Sequence, residues 1–209
     1  MGSCGAMDLF LIRHGVTEWN RQKRYLGYTD ISVLREELRT LDQLRKSLEN
    51  TTFDKVYTSD LIRCKETLEY LKTNGEITAD KRLRELNFGD WEGKTYLDLK
   101  EDEQYQRWLL NWEMEKIPGG ETWSMFTTRI DSFLRERFAN IGNGRCKHAL
   151  IMTHGGVIRY LLLKFKAVNS FWQPAVRHGT AYRLKLIRTG GVWICSSLQE
   201  VPAPEKENS

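Results

Sequence analysis

Three times in this sequence a short apolar run gives way to a polar, glycine-containing loop and then to a helical pattern. Leu9-Phe10-Leu11-Ile12 leads into Arg13-His14-Gly15-Val16-Thr17. Residues 53–58 lead into Ser59-Asp60 and a helix carrying Leu61, Lys65, Leu68 and Leu71. Ala149-Leu150-Ile151-Met152 leads into Thr153-His154-Gly155-Gly156 and a helix over 157–165. Apolar runs without polar alternation suit strands buried on both faces, as in parallel sheets covered by helices. The repetition therefore predicts an α/β fold: three layers, α/β/α, around a mostly parallel central sheet. In such sheets ligands bind beyond the carboxyl ends of the strands. His14 and His154 both fall at such ends.

The remaining segments decorate that frame. Tyr105, Trp108, Leu109 and Trp112 share one side of a predicted helix, which Ile117-Pro118-Gly119-Gly120 terminates. Residues 96–122 read as a small helical cap insertion over the site, the alternative being that the tryptophans pack the core. A second amphipathic helix follows, with Phe126, Ile130, Phe133, Leu134 and Phe138 as its buried stripe. Residues 181–187 and 192–197 are expected to form a hairpin turning at Gly190-Gly191. One domain over 7–201 accommodates all of this, because 209 residues suit one core with a modest insertion. Residues 1–6, MGSCGA, read as an expression remnant, and the polar residues 202–209 as a disordered tail.

Composition excludes several classes of function. No stretch approaches the roughly 20 apolar residues of a bilayer span, and the N-terminus lacks a secretory signal. Cys4 lies in the leader, and Cys64, Cys146 and Cys195 show no C-x-x-C spacing. They read as reduced structural thiols of a cytoplasmic protein. The net charge of +4 suits an anionic ligand, but basic and acidic residues are interleaved throughout. Neither nucleic acid nor membrane is an expected partner. There is no G-x-x-x-x-G-K-[ST] loop and no G-x-S-x-G elbow. His14 and His154 have no clustered Cys, His or Asp neighbours of metal-site spacing, so neither metal nor cofactor is expected.

A histidine ending a buried strand between an arginine and a glycine is poorly explained by packing. Neutral imidazole is a competent nucleophile toward phosphorus and leaves a phosphohistidine that water can hydrolyse. Arginine supplies a planar fork matched to phosphate oxygens. Three letters alone do not suffice, since Arg177-His178-Gly179-Thr180 repeats them. That copy follows Gln173-Pro174 with no apolar strand ahead of it, and His178, like His148, reads as structural.

Four stretches widen the pattern: LIRHGVTEWN, YTSDLIRCKET, LRELNFGDWEG and IMTHGGVIR, in that order across most of the chain. Together they resemble the histidine phosphatase, or phosphoglycerate-mutase-like, superfamily. The resemblance implies that His14 is phosphorylated and that Arg13, Arg63 and His154 form the phosphate pocket with it. Glu85 would be the proton donor, with Glu92 and Asp90 as competitors nearby. Asn20, Thr17, Gly155 and Gly27 would bind substrate. The implied ligand is a small phosphorylated metabolite.

FGDWEG, Tyr105-x-x-Trp108, Asn111-Trp112, Pro118-Gly119-Gly120-Glu121 and Phe126-x-x-Arg129 are similar to α-ribazole-5′-phosphate phosphatases. These act late in building the lower ligand of cobalamin. The short cap favours water as acceptor, hence a metal-independent phosphomonoesterase, broad in specificity or devoted to α-ribazole 5′-phosphate. A cofactor-dependent phosphoglycerate mutase and a non-catalytic phospho-ligand binder are the alternatives, and monomer and homodimer both stay open. Two departures from the family pattern are Val16, where an acid or amide is usual, and Ile31 to Glu37 in place of the usual helix entry. The second puts substrate contacts from Tyr25 to Asp30 in doubt.

Overall fold

Apolar runs of four to six residues cannot hide their two faces except under helices, and the chain covers both. In the computed structural model, residues 5–139, 141 and 146–203 are described. The elements are β1 (Ala6–Arg13), α1 (Glu18–Arg21), α2 (Asp42–Leu48), β2 (Lys55–Thr58), α3 (Ile62–Leu71), β3 (Ile77–Ala79), α4 (Tyr96–Leu99), α5 (Glu103–Leu110), α6 (Trp123–Phe138), β4 (His148–Thr153), α7 (Gly155–Lys164), β5 (Ala181–Thr189) and β6 (Val192–Val201). Six strands form one sheet in the order β3-β2-β4-β1-β5-β6. The first four are parallel, β5 pairs antiparallel with β1, and β6 pairs antiparallel with β5.

Successive residues of a strand point to opposite faces, and β1 shows the consequence. Leu9 and Leu11 pack with Ala149 and Ile151 against α6 and α7. Phe10 and Ile12 pack with Leu150 and Met152 against α2 and α3. The expected three-layer α/β/α sandwich is thus present, with one core on each side of the sheet.

Several expectations need correction. Ala6 opens β1 and pairs with Ile187, and Arg188 N–H donates to the Gly5 carbonyl, so the sheet begins ahead of the expected domain boundary at residue 7. Residues 1–4 and 204–209, where the rest of the leader and most of the expected tail fall, lie outside the described residues. The hairpin strands run longer than predicted, to Thr189 and Val201, around Gly190 and Gly191 at φ +60° and +84°. Positive φ at both turn positions is what a two-residue hairpin of this twist requires. The three-residue edge strand β3 carries no readable apolar pattern. Lys65 is exposed, and Cys64 takes the inward position of α3 instead.

The cap helix also differs. It ends at Leu110 because Asn111 leaves helical geometry, so Trp112 belongs to the following turn. Tyr105 and Trp108 join Trp91, Leu99 and Ile117 in a third, separate small core. Leu109 is 45% exposed. The cap tryptophans therefore do both: Trp108 lies within this small core, Trp112 packs against it, and both border the cleft described below.

One buried ion pair ties α6 to the segment that follows β3. Arg129 Nε donates to Glu121 Oε1 at 2.7 Å, and Nη2 donates to Glu121 Oε2 at 2.9 Å. Its remaining donors go to the carbonyls of Arg82, Arg84 and Glu85 at 2.7, 2.7 and 2.8 Å. Glu121 in turn accepts from Asn87 N–H at 3.0 Å. Removing one member would strand a buried charge, which costs about 3–5 kcal/mol. Arg129→Met is expected to lower stability by about 3 kcal/mol, read as a fall in the urea midpoint with an unchanged slope.

Candidate active site

Four chain segments converge beyond the carboxyl ends of β1, β2 and β4. β1 ends on Arg13 and delivers His14, β2 leads to Ser59, and β4 delivers His154 as the N-cap of α7. Arg63 comes from the first turn of α3. Glu85 arrives on the Arg129-clamped segment.

His14 is almost wholly buried, at 3% exposure. Its Nδ1 lies 2.7 Å from the Gly15 carbonyl. A carbonyl only accepts, so Nδ1 carries the hydrogen and the lone pair is on Nε2. No hydrogen bond among the described residues takes up Nε2. Burial holds the imidazole well below its ordinary pKa, and His154, Arg63, Arg13 and His178 press the same way. The ring is therefore neutral at physiological pH, the state a nucleophile needs.

His154 is buried 5.1 Å from His14, measured between ring centroids. Arg63 Nε donates to its Nδ1 at 3.4 Å, so its Nε2–H donates to Ser59 Oγ at 2.9 Å. Burial, then Arg63, keep this ring neutral too. Cys64 lies 3.6 Å from the same Nε2, its thiol pushed up to about 12 by burial.

The two arginines differ. Arg63 spends one donor on each of the Thr29 and Gly27 carbonyls, at 2.8 and 2.6 Å, which leaves one N–H on each Nη. Arg13 gives Nη1 to the Val176 carbonyl at 2.9 Å, while its buried Nε has no partner.

Glu85 borders the cleft. Its Oε2 accepts from Gly156 N–H at 2.9 Å and its Oε1 from Leu86 N–H at 2.9 Å. A β-carbon on Gly156 would come within 2.4 Å of Oε1, so only glycine lets the start of α7 approach this carboxylate. Its competitors are engaged elsewhere. Glu92 accepts from Tyr28 and Thr29 N–H at 2.6 and 2.7 Å and from the Thr29 hydroxyl. Asp90 packs against the turn at Gly119.

Of the expected substrate-binding residues, Asn20 and Gly155 line the cleft. Thr17 and Gly27 do not. Thr17 is fully buried and caps α1 reciprocally with Asn20. Gly27 acts through its carbonyl on Arg63. The doubtful segment after Arg24 divides: Tyr25 and Leu26 border the cleft, whereas Asp30 caps α3 through Ile62 N–H at 2.7 Å. The Val16 backbone carbonyl accepts from Leu34 N–H at 2.8 Å.

The cleft is about 340 Å³. Its outer wall is aromatic. Trp112 stacks on Phe171 at 4.9 Å and 28°, and Trp172, 57% exposed, stands at the rim with its ring centroid 5.6 Å from that of Trp112. Phe171 and Trp172 carry no sequence signal, because they sit in the irregular connection between α7 and β5. Among the described residues, no three His, Cys, Asp or Glu side chains gather in a cluster suited to a metal ion, and no helix is long and apolar enough to cross a membrane.

His178, in the second Arg-His-Gly copy, is placed beside the first. Its Nδ1–H donates to the His14 carbonyl at 2.6 Å, and the rings lie 5.5 Å apart. Burial lowers its pKa to about 4, with Arg13 adding to the effect. An unfolded histidine protonates near pH 6.5, so between about 6.5 and 4 the unfolded chain binds more protons than the fold. Stability is thus expected to fall as pH drops through that window. A shallower decline of the melting temperature in His178→Gln would assign the share due to His178.

With this geometry in view, similarity to known proteins is specific. The profile of the histidine phosphatase superfamily (branch 1) matches residues 9–199. The chain is 31% identical over 180 residues to the adenosylcobalamin/alpha-ribazole phosphatase of Salmonella typhi, covering 83% of this chain and 87% of that protein. It is 31% identical over 132 residues to a probable phosphoglycerate mutase of Salmonella choleraesuis, covering 61% of each. The crystal structure of the alpha-ribazole phosphatase from Shigella flexneri matches with a TM-score of 0.79 at 26% identity, covering 92% of this chain and 96% of that one.

Proposed function

The chain belongs to the histidine phosphatase superfamily and is a phosphatase, and from that premise we propose that it passes a phosphoryl group from a small aromatic riboside phosphate through His14 to water. The observation that carries this reading is the neutral, buried His14, whose Nδ1–H is fixed on the Gly15 carbonyl while Nε2 stays unspent. Nε2 attacks phosphorus as the ester P–O bond breaks, and the leaving oxygen takes the proton of the Glu85 carboxyl. Water then gives a proton to the Glu85 carboxylate while its oxygen attacks phosphorus, the N–P bond breaks, and phosphate and neutral His14 are restored.

Charge on the transferring group is met by Arg13 Nε and by the N–H bonds Arg63 has left. His154 holds Arg63 in place from below. The aromatic wall supports the substrate class, because Trp112, Phe171 and Trp172 offer a planar ring stacking surfaces. The name carried by the Salmonella typhi relative points the same way, toward α-ribazole 5′-phosphate. Water rather than a second substrate is the acceptor, as the short cap suggests. The unpaired Cys64, Cys146 and Cys195 suit the cytoplasm.

Alkaline quench of enzyme turning over a ³²P-labelled substrate is expected to trap label on wild-type protein and none on His14→Ala. Label retained by the variant would remove His14 from its role. In a panel, α-ribazole 5′-phosphate is expected to exceed glucose 6-phosphate and phosphoserine in kcat/KM by at least about tenfold, since one well-stacked ring contributes on the order of 1–1.5 kcal/mol. With 3-phosphoglycerate and a bisphosphoglycerate primer, formation of 2-phosphoglycerate instead of free phosphate would favour the mutase reading.

A further inference from the structure

The chemistry just described leaves two cleft arginines without a task, of which Arg24 spends donors on the Gln22 side chain and the Gly93 carbonyl, whereas Arg159 makes no such bond through its Nε. Arg159 lies on α7, one turn beyond Gly155 and Gly156, and lines the cleft with Arg13 and Trp172. Its Nε is buried and has no hydrogen-bond partner. Leaving such a donor unsatisfied is costly, so its persistence calls for an explanation.

The side chain is not slack. Its guanidinium carbon lies 5.6 Å from the Trp172 ring centroid, so the aromatic rim helps to hold it. At Gly155 two of the cleft arginines converge: a β-carbon there would lie 3.7 Å from both Arg13 Nε and Arg159 Nη1. Arg13 belongs to the strand that delivers the nucleophile. Arg159 belongs to the helix whose Gly156 amide holds Glu85, which places it on the side of the proton donor and leaving group. Glu85 is the one acid among the described residues lining the cleft. Once Glu85 has given its proton to the leaving oxygen, its carboxylate would repel a second anionic group there, whereas a neutral oxygen acceptor meets no such repulsion.

We infer that Arg159 is a specificity-determining residue that donates hydrogen bonds to sugar hydroxyls of the leaving alcohol, between the phosphoester and the aromatic wall. The inference rests on the riboside-phosphate reading above. It divides recognition into three zones: Arg13 and Arg63 for phosphate, Arg159 for the hydroxyls, and Trp112, Phe171 and Trp172 for the ring.

The test compares α-ribazole 5′-phosphate, its 2′,3′-dideoxy counterpart and p-nitrophenyl phosphate on wild type, Arg159→Ala and Arg159→Lys. Wild type is expected to favour the diol over the dideoxy compound by about tenfold in kcat/KM. Both variants should lose that preference, lysine included because it lacks Nε, and their loss on α-ribazole 5′-phosphate should exceed that on p-nitrophenyl phosphate by the same factor. Equal losses on all three substrates, or a wild type indifferent to the diol, would overturn the inference while leaving the riboside reading in place. A wild type that hydrolyses p-nitrophenyl phosphate but neither riboside would overturn the riboside reading, and the role of Arg159 with it. The wild-type comparison stands even if a variant fails to fold.

Discussion

The hydrogen bond from His14 Nδ1 to the Gly15 carbonyl, 2.7 Å long, sets the terms for the rest of the site. It chooses the tautomer, and burial then keeps the ring neutral. A protonated imidazole would have no lone pair to attack phosphorus, and the opposite tautomer would offer the wrong nitrogen. Other interactions hold the backbone on which this bond depends. Gly15 N–H donates to Thr67 Oγ1 at 2.8 Å, and His14 N–H donates to the Thr153 carbonyl at 3.0 Å. His178 grips the His14 carbonyl itself. His14 is fixed from α3, from β4 and from the connection before β5.

That last connection does more than close the fold. It supplies Phe171 and Trp172 to the aromatic wall, the Val176 carbonyl to Arg13, and His178 to His14. One irregular segment thus touches the aromatic wall, Arg13 and His14. Loops positioned by a rigid sheet commonly carry such functions. The opposite wall depends on the Arg129–Glu121 pair, which fixes the Glu85 carbonyl and the Asn87 amide. Glu85 is therefore located by an ion pair in the layer of α6.

Burying several cations together with little counter-charge is costly for a resting protein. Arg13 and Arg63 each lose solvation in the site. The fold tolerates this by spending arginine donors on backbone carbonyls while leaving a few free. Those free donors are the ones an anion could take up, so a clustering of cations that is unfavourable by itself becomes favourable on binding an anion.

The order of apolar runs determined a great deal by itself. The apolar runs Leu9 to Ile12 of β1 and Ala149 to Met152 of β4 required helices on both faces, and the carboxyl ends of these strands had to carry Arg13, His14 and His154, because strand direction follows chain direction. The length of β5, the existence of β3 and the true end of α5 were not legible, since they depend on pairing and on a local break at Asn111. Neither were the functions of Thr17, Gly27 and His178. A residue's letters do not say whether its side chain turns to a helix cap, its carbonyl to an arginine, or its ring to a neighbour's backbone. Residues far apart in sequence must first be brought within about 3 Å for those hydrogen bonds to form. Only packing of the sheet, the cap and the α7–β5 connection against one another decides that.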